Sequence, residues 1–385
     1  MDFNLSDEQQ ALAESVRAFA GRELAEGALR RAHDADYPWE VARKLARQGL
    51  LGLTISAADG GAGATLMDAV VVIQELALVD PTAADVIQAG NFGAIRTLAE
   101  YASAEQKQRY LPALLAGEGL IALGMSEADA GSAATDLRTT AVIEGDQVRL
   151  NGAKLWSTNS PDATLFLVYV RFGPGTNGIG SVLVERDTPG FTLGAPETFM
   201  SGEHWSELRF ADCLVPTGDI LLGPGGFKKQ ISGFNVERIG NSARALALGR
   251  LAYTIAREHA STRSQFGRTL NEFQGVQWKF AEMAVKLDAA QLLLYRAAAN
   301  ADRGLPSAYE TSVAKYACNT AGFEVANESL QVMGAMGYST QTLVEYCLRR
   351  TRGWMIAGGS LEMLKNRIAE TVFDRRFNQR PPRVP

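Results

Sequence analysis

The stretch Arg263-Ser264-Gln265-Phe266-Gly267, followed by Phe273-Gln274, interrupts an alanine-rich helical region and so decides the fold of the last third of the chain. A clean helical period resumes at Val276. Arginine offers a planar set of donors that suits a pyrophosphate. Phe can cover a flat heteroaromatic ring, and Gln can bond an adenine edge or a ribose. The pattern therefore predicts either a dinucleotide-binding site or the capping of a helix–helix corner.

Helical periodicity extends on both sides of this interruption, starting at Ser232. Apolar residues on the downstream side step alternately by four and three positions, the spacing of a helix-bundle seam. These residues are Val276, Phe280, Met283, Leu287, Ala290 and Leu294. A second helix of the same kind is predicted further on. Its packed face would consist of Val313, Tyr316, Thr320 and Phe323.

The first 120 or so residues are also helical in pattern, whereas the middle of the chain is not. Ser6 and Gln9 form a capping box that opens a helix. Between about Leu120 and Phe227, short apolar runs alternate with turns, a pattern typical of a β domain, either barrel or sandwich. The runs are 120–123, 141–143, 165–170, 181–184 and 207–210, with a hairpin turn at 144–147. Helices, then strands, then helices indicate an α+β chain with segregated elements.

Composition excludes several classes of function. The chain has 385 residues, 46% hydrophobic and 21% charged, which is ordinary for a soluble globular protein. A net charge of −5 without a basic run disfavours nucleic-acid binding. Cys213, Cys318 and Cys347 are far apart and predict buried thiols in a reducing compartment. No metal site, signal peptide or membrane insertion is expected, so the predicted location is cytoplasmic.

One segment matches the consensus of a nucleotide-binding loop in sequence only. Gly173 to Gly178 satisfies GxGxxG, but a dinucleotide-binding loop of that kind must lead into a helix. The residues that follow, Ile179 to Val184, have the pattern of another strand. We therefore predict a hairpin loop here and reject the nucleotide interpretation.

Three further segments each admit a functional and a structural interpretation. The run from Met125 to Ser132 follows a strand and could form an anion-binding nest or a surface loop of small residues. In Asn151 to Asn159, Trp156 could be ordinary core or could cover a flat redox ring, with Thr158 bonding its edge. Glu237, followed by Arg238, could be a solvated first-turn charge.

Taken in order, these segments resemble the acyl-CoA dehydrogenase family over essentially the whole chain. The TEPxAGSD loop of the family corresponds to Ser126–Ala133, and its NGxKxWITN segment to Asn151–Asn159. The RxQFG…FQ segment corresponds to Arg263–Gln274, and QxxGGxGY to Gln331–Tyr338. Each motif is weak alone, but four in order at family-like spacing are a specific signal.

The resemblance implies a fold, a cofactor and partners. It implies an N-terminal helical domain over 1–119, a middle β-barrel domain over 120–231 and a C-terminal four-helix bundle over 232–385. It further implies FAD at a subunit interface within a homotetramer, a dimer of dimers. The expected partners are acyl-CoA or another acyl thioester and an electron-transfer flavoprotein. The implied activity is α,β-desaturation of the acyl thioester.

The resemblance also implies roles for individual residues. The cofactor-binding positions carried over from the family are Ser126, Gly131, Ser132, Trp156, Thr158, Arg263, Gln265, Phe266, Gln274, Gln331, Ser360 and Glu362. Of these, Ser126, Trp156 and Thr158 would face the flavin ring, and those from Arg263 to Gln331 would come from the neighbouring subunit. The expected substrate contacts are Ser132, Phe234 and Arg238, with the Gly358 N–H as a donor to the thioester oxygen.

The catalytic base is where the chain departs from most of the family. Many members carry the base in a late E-G-T motif, but here the glutamate position is Gly358. A subset places its glutamate in an E-R pair on the long helix that opens the last domain, and Glu237-Arg238 fits that position. We therefore predict Glu237 as the base. Ala128, Ala133 and Ala335 replace the family Pro, Asp and Gly, which affects the details of the phosphate loop.

The Gly-Gly-Ser ending at 358–360 also looks like the crotonobetainyl-CoA reductase branch and certain carrier-protein thioester dehydrogenases. Enoyl-thioester reduction and dehydrogenation of a carrier-protein thioester therefore stay open as alternatives. A flavin oxidase or monooxygenase on the same fold, and a non-catalytic flavoprotein or scaffold, are further alternatives.

Overall fold

The computed structural model describes residues 4–302, 306–377 and 379, and its N-terminal part is a set of seven helices. They are α1 (Asp7–Glu23), α2 (Ala28–Arg31), α3 (Trp39–Arg47), α4 (Leu66–Ala77), α5 (Pro81–Asn91), α6 (Ala94–Tyr101) and α7 (Ala104–Leu115). The predicted capping box opens α1: the Ser6 side chain accepts from the Gln9 N–H, and the Gln9 side chain accepts from the Ser6 N–H. α4 is buried along most of its length. Its position at the centre explains why it is apolar on nearly every face.

The middle of the chain forms a nine-stranded sheet that is mostly antiparallel. Its strands are β1 (Ile121–Gly124), β2 (Thr140–Glu144), β3 (Gln147–Thr158), β4 (Leu165–Arg171), β5 (Ile179–Glu185), β6 (Phe191–Leu193), β7 (Glu197–Thr198), β8 (His204–Pro216) and β9 (Ile220–Leu222). The main order is β6-β8-β3-β2-β4-β5-β9, with β1 beside β4 and β7 beside β8. All five predicted apolar runs fall on these strands. The turn at 144–147 joins β2 to β3, with Gly145 at a φ of +64°.

The GxGxxG segment connects two antiparallel strands. β4 pairs with β5 so that Arg171 lies opposite Ile179, and the glycine-rich residues close the hairpin between them. The predicted hairpin loop is therefore confirmed.

The last third of the chain is a helical bundle built on one very long helix. Its elements are α8 (Phe227–Thr262), the hairpin β10 (Ser264–Gln265) and β11 (Arg268–Thr269), α9 (Gln274–Ala301), α10 (Ala308–Met333), α11 (Ala335–Tyr338), α12 (Leu343–Trp354) and α13 (Leu361–Val372). Helical periodicity was expected to start at Ser232, but α8 begins five residues earlier, at Phe227. The interruption at 263–267 is a β hairpin in which Phe266 takes a φ of +54°. The helix after it resumes at Gln274, two residues before the expected Val276.

The predicted seam of α9 is buried in its second half, and the second predicted helix is confirmed as α10, although the residues that indicated it do not form its most buried face. Met283, Leu287, Ala290 and Leu294 are buried. In α10, however, Val313, Tyr316, Thr320 and Phe323 are only half-buried. The buried face of α10 carries smaller and more polar residues, among them Ala314, Lys315, Cys318, Asn319 and Gly322.

Close approach of two helix backbones explains that difference. A Cβ built on Gly249 of α8 would lie 2.8 Å from the Cα of Gly322 on α10, and one built on Gly322 would collide with the Ala245 carbonyl oxygen. Large apolar residues would not fit on this face. The bulky residues of α10 therefore lie on a neighbouring face of the helix.

Further expectations from composition can be compared with the described residues. Cys213, Cys318 and Cys347 are buried and free, as predicted. Within the described ranges, no group of three or more His, Cys, Asp or Glu side chains is placed to hold a metal ion. Every helix in those ranges is too short or too polar to cross a bilayer. The outer limits of the predicted terminal domains, residues 1 and 385, lie outside the described residues, and the domain division stays a prediction.

Candidate functional site

Glu237 lies about three turns into α8, where it faces the N-terminal helices. Because α8 starts at Phe227, Glu237 is well inside the helix and is not a first-turn charge. The side-chain amide of Gln88, on α5, donates to Glu237 Oε2 over 2.7 Å. A Cβ built at Gly93, between α5 and α6, would lie 3.1 Å from the same oxygen. The carboxylate is therefore held in a tight gap between α8 and the α5–α6 turn.

The surroundings of Glu237 favour its protonated form. Burial raises the pKa of its carboxyl above the ordinary value, while Arg244, the Gln88 amide and Lys315 act in the opposite direction. A buried carboxylate without a tight ion pair gains basicity in this way. This is the behaviour required of a general base that works near neutral pH.

The cation that acts most strongly on the pKa of Glu237 is engaged elsewhere. Arg244, two turns further along α8, donates to Asp85 over 2.9 Å. Asp85 also pairs with Arg350 of α12, which in turn pairs with Glu203 from the loop before β8. This buried chain of charges joins the N-terminal helices, the sheet and the bundle.

Lys315 holds the loop that contains Gly358. Its fully buried ammonium donates to three carbonyl oxygens, those of Trp354 at 3.3 Å, Ala357 at 2.6 Å and Gly359 at 2.8 Å. A Cβ built on Gly358 would lie 3.9 Å from the Lys315 Nζ. Burial lowers the pKa of this lysine to about 7, with Arg238 next in effect, whereas Glu237 acts to raise it. Lys315 thus links the glycine loop electrostatically to the carboxylate.

The two predicted substrate contacts on α8 lie within one turn of Glu237. Phe234 packs against the apolar cluster that also receives Met125, the residue before Ser126. Arg238 donates to the Asn235 side chain over 3.0 Å, and its Nε has no partner among the described residues. Burial lowers the pKa of Arg238 to about 10, with nearby Arg367 adding to the effect.

A second surface, on β3, carries Trp156 and Thr158. Trp156 has a φ of +61° and its side chain is 55% exposed, so it is not the core residue that the sequence allowed. Its ring lies 4.3 Å from that of Trp205 and 6.3 Å from that of Phe199, measured between centroids. Thr158 is exposed two residues on. The result is an open aromatic surface with a hydroxyl at its edge.

The loop after β1 is tied to this surface. The Ser126 carbonyl accepts from the Leu155 N–H over 2.9 Å. The carboxylate of Glu127 accepts from buried Lys154 over 2.7 Å and from the Thr139 hydroxyl over 2.6 Å. Gly131 and Ser132 are exposed beyond it. The ion pair between Glu127 and Lys154, two motif residues, therefore fixes the loop against β3.

The expected cofactor residues around the β10–β11 hairpin lie far from Glu237 in one chain. Arg263 follows the last residue of α8, so at 1.5 Å per residue the helix carries it roughly 40 Å from Glu237. Phe266 is 95% exposed at the tip of the β10–β11 hairpin. Gln265, Gln274, Gln331 and Glu362 are exposed as well, and Ser360 is half-buried. A single chain does not bring Arg263 or the hairpin residues to the carboxylate, whereas Ser360 follows Gly359, where an added Cβ would lie 3.8 Å from Arg238.

These surfaces fit a flavin dinucleotide. Trp156 presents an exposed ring, and the Thr158 hydroxyl is exposed on the same face of β3. Phe266 and Arg263 present an exposed ring and a guanidinium free of ion pairs among the described residues. These groups have the chemistry for a flat ring system and a diphosphate.

Sequence reasoning missed two residues next to Glu237. Gln88 bonds the carboxylate directly, and Lys315 orders the glycine loop. Neither lies in one of the four motifs. A lysine within a run of small residues on a helix face was the only visible signal, since such a charge is rarely left in a packed bundle without a dedicated set of acceptors.

Comparison with known proteins gives consistent matches along the whole chain. Profiles of the acyl-CoA dehydrogenase N-terminal, middle and C-terminal domains match residues 6–118, 122–213 and 224–373. The 3-sulfinopropanoyl-CoA desulfinase of Paraburkholderia xenovorans (strain LB400) is 34% identical, with 98% of this chain and 99% of that protein covered. A short-chain-specific acyl-CoA dehydrogenase of Clostridium acetobutylicum is 32% identical, covering 97% and 100%. The structure of a glutaryl-coenzyme A dehydrogenase in its glutaryl-CoA complex has a TM-score of 0.93 and 30% identity, covering 99% of this chain and 98% of that one.

Proposed function

This chain belongs to the acyl-CoA dehydrogenase family, and from that membership we propose that Glu237 is the base that removes the α-proton of an acyl thioester. The protein is an FAD-dependent oxidoreductase that acts on CH–CH groups. The observation that carries the proposal is the position of Glu237: a buried carboxyl with a raised pKa, held by one amide.

The chain's own residues account for the proton transfer. A thioester carbonyl acidifies its α-carbon, but too weakly for a carboxylate in water. Burial of Glu237 makes its carboxylate a stronger base. The N–H of Gly358 would donate to the thioester oxygen and stabilise the negative charge that develops there. Lys315 supports this role because it holds the carbonyls on both sides of Gly358. When bound, FAD supplies the acceptor for the hydride that leaves the β-carbon.

We assign the flavin ring to Ser126, Trp156 and Thr158, and the phosphate loop to Gly131 and Ser132. Arg263, Gln265, Phe266, Gln274 and Gln331 would hold the diphosphate and adenosine of a neighbouring subunit, with Ser360 and Glu362 completing the cofactor site. The distance of roughly 40 Å along α8 from Glu237 to Arg263 supports a shared site. The assembly would be a homotetramer, arranged as a dimer of dimers.

The acyl group, its carrier and the direction of reaction belong to the same proposal. We propose acyl-CoA oxidation in the cytoplasm, with electrons passed to an electron-transfer flavoprotein. Phe234, Arg238 and Ser132 would contact the substrate. The alternatives are enoyl-thioester reduction and dehydrogenation of a carrier-protein thioester, since the Gly358-Gly359-Ser360 ending is compatible with either.

Replacement of Glu237 by Gln tests the base directly. Glu237→Gln keeps the shape and the Gln88 contact but removes the proton acceptor. We expect the variant to retain bound flavin and to lose anaerobic bleaching by acyl thioesters by about three orders of magnitude or more. Glu258→Gln, an exposed position on the same helix, is the matched control and should bleach at the wild-type rate.

The panel of thioesters separates the competing functions. It should include saturated and unsaturated acyl-CoAs, 3-sulfinopropanoyl-CoA, and the same acyl groups on a carrier protein. Full activity of Glu237→Gln would remove Glu237 from the mechanism. Rapid reaction of the reduced enzyme with oxygen would instead favour an oxidase.

A further inference from the structure

Gln230 carries the most deeply buried side-chain amide on α8, and that amide has no hydrogen-bond partner among the described residues. Its side chain is 1% exposed, and neither its Nε2 nor its Oε1 is bonded within the described residues. A buried amide left unsatisfied on both atoms destabilises a fold by about 1–3 kcal/mol or more. Such a residue in a native core indicates a missing partner.

Gln230 points to the same side of α8 as Glu237. Seven residues separate the two, so at 3.6 residues per turn their side chains are only about 20° apart around the helix and about 10 Å apart along it. That side faces α6. A Cβ on Gly233 would lie 3.4 Å from the Thr97 hydroxyl, and the Tyr101 hydroxyl approaches the Lys229 carbonyl at 3.5 Å. α6 therefore runs along α8 from Glu237 to Gln230.

The side chains around the stretch of α8 from Gln230 to Glu237 are largely apolar. Phe227, Ile231 and Phe234 of α8 belong to or pack against one hydrophobic cluster, which also includes Leu98 of α6. Met125, at the start of the loop that carries Ser126, packs against the same cluster. These apolar side chains would suit the methylene chain of an acyl group that runs along α8 from Glu237.

A second buried side-chain amide, that of Gln88, also lacks part of its hydrogen bonding. Gln88 bonds Glu237 through Nε2, but its Oε1 is buried without a partner among the described residues. One unsatisfied amide thus lies beside the base and another about two helical turns away.

We propose that Gln230 forms a distal polar subsite, which binds an uncharged hydroxyl, carbonyl or amide group on the far part of the substrate's acyl chain. This inference rests on the proposed thioester oxidation at Glu237 and adds a substrate class to it. Both amide atoms of Gln230 would gain a partner only in the complex. A site built to hydrogen-bond a substrate group discriminates strongly against the analogue that lacks it.

The test compares acyl-CoAs that differ only at the far end of the chain. Straight-chain acyl-CoAs of several medium lengths are matched with their ω-hydroxy analogues, and anaerobic flavin bleaching gives kcat/KM for each. At the length that reaches Gln230, we expect the wild-type enzyme to prefer the hydroxy compound by at least about tenfold, as for one satisfied buried hydrogen bond. Short acyl-CoAs, which do not reach the subsite, should show no effect of Gln230.

Gln230→Leu provides the matched variant, because replacing an unsatisfied buried amide by an apolar group of similar shape does not destabilise a fold. We expect it to keep its flavin and its activity on short acyl-CoAs, and to prefer the plain alkyl chain. Gln108→Leu, an exposed position on α7, controls for the substitution and should leave the preference unchanged.

The outcomes separate the two proposals. If alkyl-CoAs bleach the flavin but no hydroxy analogue is preferred at any length, or if Gln230→Leu keeps the wild-type preference, the distal subsite is wrong and the thioester oxidation stands. If no thioester of any kind bleaches the flavin, the proposed function fails and takes the subsite with it.

Discussion

At the scale of single residues, the chemistry depends on how Glu237 is surrounded. An isolated glutamate in a helical sequence is most often a solvated charge, and only its context makes it a base. Here the context is one amide from α5, a glycine turn, and cations held by other acceptors. Each of these changes the free energy of proton binding to the carboxylate.

The contact with Gln88 predicts a change in the pH profile. The proposed base would work only when deprotonated, so we expect kcat/KM to rise with pH as Glu237 ionises, with a midpoint above the ordinary glutamate value. The Gln88 hydrogen bond lowers the pKa of Glu237. Gln88→Leu should therefore move the midpoint to higher pH and reduce activity mainly on the acid side. The measurement is kcat/KM against pH by flavin bleaching.

The exposed Gln108→Leu control should leave that midpoint where it is in the wild-type enzyme. A midpoint that stays in place or moves to lower pH in Gln88→Leu would show that this amide does not stabilise the ionised carboxylate.

At the scale of secondary-structure elements, two features of α10 are not evident from its sequence pattern. It packs so closely on α8 that glycines and alanines occupy the contact, and it places Lys315 under the 354–359 loop. Sequence periodicity identified the helix, but bulky residues indicated the wrong face for packing. The close approach is a property of the pair of helices, so a pattern within one of them does not reveal it.

Lys315→Met should separate positioning of the glycine loop from folding. The change keeps most of the apolar stem but leaves the carbonyls of Trp354, Ala357 and Gly359 without their donor. We expect kcat to fall about tenfold or more because the Gly358 N–H loses its orientation, while KM and flavin content change little. Single-turnover bleaching and steady-state kinetics measure the two effects.

Lys228→Met, an exposed position on α8, is the control and should behave as the wild type. If Lys315→Met unfolds at a lower temperature but retains full kcat, the lysine has only a structural role.

At the scale of the whole molecule, the described chain leaves an apolar stripe exposed on α9. Trp278, Val285 and Leu292 are spaced by seven residues and so lie on one side of that helix. The exposed Phe266 lies in the hairpin that precedes it. Exposed apolar stripes of this kind mark association surfaces. They are consistent with our proposal that neighbouring subunits complete the cofactor site.

Val285→Glu tests this association. A charge in the middle of the stripe should split the assembly into smaller species, and because Arg263 and Phe266 would then be lost from the neighbour's site, FAD should bind at least about tenfold more weakly. Analytical ultracentrifugation and the ratio of flavin to protein give the two readouts.

Val142→Glu, at an exposed apolar position on β2, should keep both the size of the assembly and its flavin. An unchanged size and full flavin content in Val285→Glu would contradict the shared cofactor site.

Local patterns in the sequence were sufficient for much of this architecture. The capping box at Ser6, the strand runs between β1 and β8, the hairpin nature of the GxGxxG segment and the break at Arg263–Gly267 all depend on residues close together in the chain. Four motifs, in order, also identified the family and its flavin cofactor.

Only the tertiary structure decided which residues surround the base. Gln88 meets Glu237 across 149 positions of sequence, and Lys315 reaches a loop that begins 39 residues later. The exposure of Trp156 and the burial of Gln230 likewise depend on neighbours from distant segments. The physical reason is that capping, turns and periodicity arise from interactions within a few residues. The pKa of a carboxyl and the satisfaction of a buried amide depend instead on what the fold brings within a few ångströms.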